Sequence, residues 1–175
     1  ITLMASVSIV KAITLRTGLL PRVKWPNDIL INDRKVAGIL LESRVSGGQI
    51  DYAVIGFGIN VNNDSVDLPE NIRGKASSLL MELKRPVDRG TLVMEIFSKL
   101  ERIYDRFQRE DFPVILEQYR HYSSTLGQRV RIWQKDEATD GVAVDLTEDG
   151  GLLLEVEGGE QIVVHAGDIE YLRIL

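Results

Sequence analysis

Lys24-Trp25-Pro26-Asn27-Asp28, Arg34-Lys35-Val36-Ala37-Gly38 and Gly56-Phe57-Gly58-Ile59-Asn60 lie within one stretch too short to hold separate domains, so the three sets must converge. The first displays a cation, an amide and a carboxylate on one sharp turn. Pro26 fixes its own φ, removes a backbone donor and keeps Trp25 out of the helical region. The second places two cations just ahead of an apolar run in which Gly38 admits close approach to the backbone. In the third, Gly56 and Gly58 stand at alternate positions and open the same face of a strand. A lysine, an aspartate and a bare strand face suit an anion bound beside a flat, mostly apolar ligand.

The elements that must position these groups read as follows. Thr2 to Thr17 predicts a helix with a buried stripe at Leu3, Val7, Val10 and Leu15, stopped by Gly18. Strands are predicted at Arg22 to Lys24, Asp28 to Ile31, Lys35 to Arg44 and Ile50 to Phe57. Asn32-Asp33 and Ser46-Gly47-Gly48-Gln49 serve as turns, which makes an antiparallel meander. Residues 61–75 are polar and turn-rich and are expected to run over the surface near the site. Asp88 is a candidate N-cap for a helix ending near Gln108, with Leu92, Ile96, Leu100, Ile103 and Phe107 on its apolar face. The opposite face, with Lys99, Glu101, Arg102 and Arg106, reads as solvated surface. A second helix, Pro113 to Tyr122, follows, and both belong behind the sheet. Beyond Thr125-Leu126-Gly127 come five short strands: Val130 to Trp133, Gly141 to Leu146, Leu152 to Val156, Gln161 to Val164 and Tyr171 to Ile174. Turns of DG, GG and AGD type separate them, and they suggest a small SH3-like barrel. Asp149-Gly150-Gly151 reads as a hairpin rather than a phosphate cradle, because no helix follows to supply a dipole.

Composition narrows the chemistry. The chain has 175 residues, 44% of them hydrophobic, enough for a packed core. It has no cysteine, hence no thiolate nucleophile, and its two histidines, His121 and His165, lack ligand spacing for zinc. A formal charge of −5 gives no overall attraction to a polyanion, and no helix-turn-helix pattern is present, so no nucleic acid is expected through this chain. No apolar run approaches the roughly 20 residues needed to cross a bilayer. A cytoplasmic location is expected.

KWPNDILINDRKVAGILLE followed by GFGINVNN resembles the central catalytic segment of the biotin protein ligases, also called biotin acetyl-CoA-carboxylase ligases, in the order, spacing and type of all three motifs. KWPND with RKVAG carries the likeness; GFGIN alone is weak, since paired strand glycines are common. The resemblance implies an α+β fold of the class II synthetase-like biotin/lipoate ligase type: a mixed, largely antiparallel sheet backed by helices, then a small SH3-like β-barrel. Residues 1–126 then form the C-terminal portion of the catalytic domain and 127–175 the SH3-like domain. It also implies two segments upstream of KWPND, one bearing Ser or Thr at the biotin and one rich in Gly and Arg around the phosphates. Between Ile1 and Lys24 the sequence offers a helix and a turn instead. The chain is therefore read as part of the catalytic region, expected to bind biotin weakly and turn over little by itself.

The implied reaction joins biotin and ATP into biotinyl-adenylate, then passes biotin to a lysine of a biotin carboxyl carrier domain, with Mg²⁺ assisting. Bringing a carboxylate to an α-phosphate needs a fixed cation between them. Lys35 is the first choice, matching the family lysine that touches biotin and the nascent adenylate, while Arg34 is expected to be exposed. Asp28 is the expected catalytic carboxylate and partner of the nucleotide or Mg²⁺; the alternative is that it caps the turn through backbone amides. Lys24, Asn27 and Asn60 are expected to approach the nucleotide. Gly38, Gly56 and Gly58 form a bed for biotin, with an apolar wall from Leu40 and Ile55, and Trp25 is expected in the core. Two alternatives stand beside this reading: a lipoate ligase-like enzyme, and a non-catalytic biotin-binding fragment. Some family members add an N-terminal DNA-binding domain, a question these residues leave open. An apolar strand edge near Ile50 to Val54 could support a homodimer.

Overall fold

The first helix is apolar on every side rather than along one stripe, and that decides where it sits. In the computed structural model, which describes residues 1–47, 49–109 and 111–172, α1 (Thr2–Thr17) buries Met4, Ala5, Val7, Ile9, Val10, Ala12 and Ile13. Its buried hydroxyls are satisfied locally: Ser6 donates to the Thr2 carbonyl at 3.0 Å and Ser8 to that of Met4 at 2.7 Å. Leu3, Val7 and Val10 are buried as expected, but Leu15 is 60% exposed. Leu15 falls on the same side as the buried Met4 and Ser8, so its exposure comes from its place in the last turn, where Arg16 is exposed as well. Gly18 closes the helix with φ +76°, its N–H bonding the Thr14 carbonyl.

α1 lies behind a four-stranded antiparallel sheet in the order β1-β2-β3-β4: β1 (Arg22–Lys24), β2 (Asp28–Ile31), β3 (Arg34–Ser46) and β4 (Gln49–Ile59). β3 and β4 run longer than their apolar cores because pairing continues past a bulge at Arg44/Val45 until Ser46 opposes Gln49. Gly48 of that expected turn lies outside the described residues. The rear face, with Ala37, Ile39, Ile55, Phe57 and Ile59, joins the core beneath the helices. The front face, from Leu40 and Val54 to Tyr52, is exposed.

α2 (Leu79–Leu83) follows the polar segment and was not expected from sequence; Ser78 caps it, accepting from the Met81 amide. α3 (Arg89–Phe107) begins at Asp88, whose side chain accepts from the Thr91 amide, and buries Leu92, Ile96 and Ile103. α4 (Phe112–Tyr122) packs beside α1 and α3.

The second sheet is antiparallel throughout in the order β8-β7-β6-β5-β9: β5 (Arg129–Gln134), β6 (Glu137–Leu146), β7 (Leu152–Val156), β8 (Gln161–Val164) and β9 (Asp168–Tyr171). Asp140-Gly141 is no turn: β6 starts at Glu137, and Asp140 faces Arg131 across the ladder at 2.7 Å. The last strand falls earlier than its apolar residues suggested, because Ile169 opposite Ile132 is the inward position; Arg173 and Ile174 lie outside the described residues. Val130, Ile132, Ala143, Leu152 and Leu154 are continuous with the core around α1.

Candidate active site

Strand register lines up the three motifs. Lys24 pairs with Asp28, Asp28 with Gly38 and Gly38 with Gly58, one transverse row across all four strands of the first sheet. Leu40 pairs with Gly56 in a neighbouring row. Residues directly opposite in a ladder share a face, so all these groups point to the front.

Lys35 would point rearward in a regular ladder, since it lies an odd number of positions from Gly38. A bulge corrects this. Ile29 opposes Ala37 while Leu30 opposes Lys35, so Val36 is the extra residue and Lys35 turns to the front. Its Nζ lies 2.5 Å from Asp28 Oδ1, with the two side chains 48% and 24% exposed. A methyl group at Gly38 would sit 3.1 Å from both Cε and Nζ of Lys35 and 3.6 Å from Asp28 Oδ1. Gly38 is therefore the recess that holds the ammonium. Gly56 and Gly58 differ: a Cβ at Gly56 would meet only the Leu40 carbonyl, at 4.0 Å, and one at Gly58 nothing within 4 Å. They leave open space.

A cavity of about 360 Å³ opens there, between Lys35, Gly38 and Gly58 of the sheet, Asn60 just beyond it, and Ile72 and Lys75 of the polar segment. That segment does pass over the site, and its last part is tied down. The Lys35 amide donates to the Lys75 carbonyl and the Ser77 amide to the Lys35 carbonyl, each at 2.9 Å. Asn60 Nδ2 donates to the Ser77 carbonyl at 3.0 Å. The Arg34 side chain keeps 38% of its surface exposed and also bonds Glu82 Oε1 at 2.6 Å, on a carboxylate 4% exposed that accepts from Asn32 and Ser77 as well. Glu82, which the sequence analysis does not single out, ties Arg34, Asn32 and Ser77 together beside the site.

Asn27 is likewise engaged with backbone: its Nδ2 donates to the Ile39 carbonyl at 2.7 Å, and the Ile39 amide to the Asn27 carbonyl at 3.0 Å, binding turn to β3. Trp25 is core, 2% exposed, with Nε1 donating to the Gly150 carbonyl at 3.3 Å. Its peptide to Pro26 is cis. Lys24 is half-buried; desolvation pushes its ammonium pKa below the usual lysine range, partly opposed by Asp28 and Asp168. Leu40 and Ile55 do not form one wall: Ile55 opposes Leu41 and faces rearward, while Leu40 faces front. A larger, mainly apolar groove of about 860 Å³ lies behind β4, against Met4, Met94 and Phe97, away from every motif cation.

The chemistry is therefore a cation, paired with a carboxylate, that lines a cavity whose sheet wall includes two glycines. Residues 2–60 match the profile described as Biotin/lipoate A/B protein ligase family, and 125–172 that of the Biotin protein ligase C terminal domain. The chain belongs to the biotin protein ligase family. It is 32% identical over 170 residues to the Bifunctional ligase/repressor BirA of Bacillus subtilis, covering 97% of this chain and 52% of that protein. It is 34% identical over 152 residues to the Biotin--[acetyl-CoA-carboxylase] ligase of Mycobacterium tuberculosis, covering 86% and 53%. Among solved structures, the biotin protein ligase of Aquifex aeolicus superposes with a TM-score of 0.84 at 25% identity, over 99% of this chain and 74% of that one. The same enzyme in complex with biotin and ATP gives 0.83 at 25% identity, over 99% and 71%. The chain spans about half the length of the curated relatives it matches.

Proposed function

We propose that this chain carries part of the adenylating site of a biotin protein ligase: ATP and biotin give biotinyl-adenylate and pyrophosphate, and biotin then passes to a lysine of a biotin carboxyl carrier domain. The observation that carries the reading is Lys35 Nζ, 2.5 Å from Asp28 and seated in the Gly38 recess, at the cavity that Gly58 opens. The lysine lies where a carboxylate entering along the glycine face meets a phosphate. It screens two anions as they approach, and it gains most when charge gathers on the α-phosphate in the transition state. Asp28 pre-positions the ammonium, so little reorganisation remains at the moment of reaction. Gly56 and Gly58 give biotin's flat ring system its bed beside Leu40, and Lys24 and Asn60 flank the nucleotide.

Mg²⁺ fits this donor set modestly. Among the described residues there is no cluster of three acidic or histidine ligands, but an ion held mainly by phosphates needs only one or two carboxylates. Asp28 would hold it, and when bound it would neutralise phosphate charge.

We assign residues 1–126 to the catalytic domain and 127–175 to an SH3-like domain, and place the protein in the cytoplasm. Among the described residues no helix is long and apolar enough to cross a membrane. The likeness to the mycobacterial biotin--[acetyl-CoA-carboxylase] ligase supports acetyl-CoA carboxylase as the source of the carrier. Biotin-dependent exchange of pyrophosphate into ATP by the intact gene product tests the function. Exchange driven by lipoate and not by biotin would overturn it.

A further inference from the structure

The residues between α4 and β5 look in sequence like a plain connection between domains. In the structure they grip β1. Val23 forms a parallel bridge with Ser123, the Ser124 amide donates to the Val23 carbonyl at 2.8 Å, and Arg22 Nε donates to the Tyr122 carbonyl at 3.2 Å. One step further, the Trp25 amide donates to Thr125 Oγ1 at 3.0 Å. The backbone on both sides of Lys24 is thus held by two neighbouring hydroxyl residues.

Both hydroxyls lead to one phenol. Tyr171 Oη lies 2.9 Å from Ser124 Oγ and 3.5 Å from Thr125 Oγ1, while Lys24 Nζ sits 5.3 Å from the centre of the Tyr171 ring. β9 brings this tyrosine in, paired with Val130 of β5, so it belongs to the second sheet while every group it holds serves the first. Lys24 needs such a neighbour. It is half-buried beside Lys35, and the ring face attracts its ammonium in addition to the charges of Asp28, Asp168 and Glu170.

We infer that Tyr171 is a positioning residue for the adenylating site, its ring face holding the Lys24 ammonium and its hydroxyl fixing Ser124 and Thr125 on either side of the lysine's backbone. The inference rests on the function proposed above. The second sheet then contributes to the reaction through a side chain that touches no reacting atom. A buried tyrosine of α4, Tyr119, secures the other end of the same turn, donating to the Pro26 carbonyl at 3.2 Å; burial pushes its phenol pKa far up and keeps it a neutral donor. Placement errors well below an ångström at a charged group are felt in the rate rather than in ground-state binding.

Tyr171→Phe keeps the ring and loses the hydroxyl; Tyr171→Leu loses both. In the intact gene product, with rates normalised to folded protein, Tyr171→Leu should lower kcat for biotin-dependent pyrophosphate exchange about tenfold and leave the biotin dissociation constant within about twofold. Tyr171→Phe should recover most of that loss. In an arm independent of activity, hydrogen exchange at the Trp25 amide should accelerate in both variants, because both release Thr125. Full activity in Tyr171→Leu, or a Phe variant as slow as the Leu variant, would overturn the positioning role of the ring. Unchanged Trp25 exchange in both would overturn the role of the hydroxyl. A wild-type protein with no biotin-dependent exchange would instead remove the ligase reading and the catalytic part of this inference with it, while the Trp25 amide would still decide whether the clamp exists.

Discussion

From Val23 to Asn27 the turn is held at nearly every residue: Val23 by Ser124, Trp25 by Thr125 and Gly150, Pro26 by Tyr119, Asn27 by Ile39. Across the same face, Gly56 and Gly58 have almost nothing in front of them. The charged half of the site is fixed in advance by the fold's own hydrogen bonds, and the apolar half is left as space. Under the proposed function, the difference matches what each half would do. A cation that stabilises a transition state loses value if it must reorganise, whereas a bed for a flat ring gains from being bare.

Changes to the two halves should therefore fail in different ways. Filling the open half should have the larger effect of the two glycine changes: Gly58→Val in the intact gene product should weaken biotin binding by about tenfold or more while kcat at saturation changes less, read by calorimetry and exchange kinetics. An unchanged dissociation constant would place biotin elsewhere. Gly38→Ala should show the reverse pattern. Its new methyl would press on Lys35 at 3.1 Å, and since that side chain can shift, kcat should fall by only about fivefold with biotin affinity nearly intact. Trp25→Phe removes the indole bond to Gly150 on the clamped side, and should cost about 1 kcal/mol of stability, roughly 3 °C in melting temperature.

The smallest effect belongs to a residue outside both halves. The Thr91 hydrogen bonds hold the Asp88 carboxyl below its ordinary 3.8. Its cap therefore contributes stability above that pH and loses it as pH falls through the lower, folded-state value. Asp88→Ala should lower the melting temperature slightly at neutral pH, and the gap to wild type should close in acid.

The same contrast governs what could be read from the sequence. α1, β1 and β2 are legible because Gly18, Pro26 and the Asn32-Asp33 turn mark their ends locally. Lys35 and Asp28 were legible as chemistry, but not as a contacting pair, because the bulge at Val36 that joins them leaves no trace in the apolar pattern. Gly38 reads as a place for ligand; that it also leaves room for the Lys35 ammonium shows only in the structure. Leu40 and Ile55 could not be assigned faces until the register was known. Glu82 was out of reach: its helix spans five residues, too short for any periodicity, and its partner Arg34 is 48 positions away. Ser123 and Thr125 looked like linker, yet both are buried, because β1 is too short to be held by one neighbouring strand.

Lys35 as the cation of adenylate formation is best tested by the rate at which labelled pyrophosphate enters ATP in the presence of biotin, compared between the intact gene product and its Lys35→Ala form. The expected result is a fall on the order of a hundredfold or more, the size of losing one preorganised oxyanion donor, in a protein that still folds. Near-equal rates in the two proteins would contradict it.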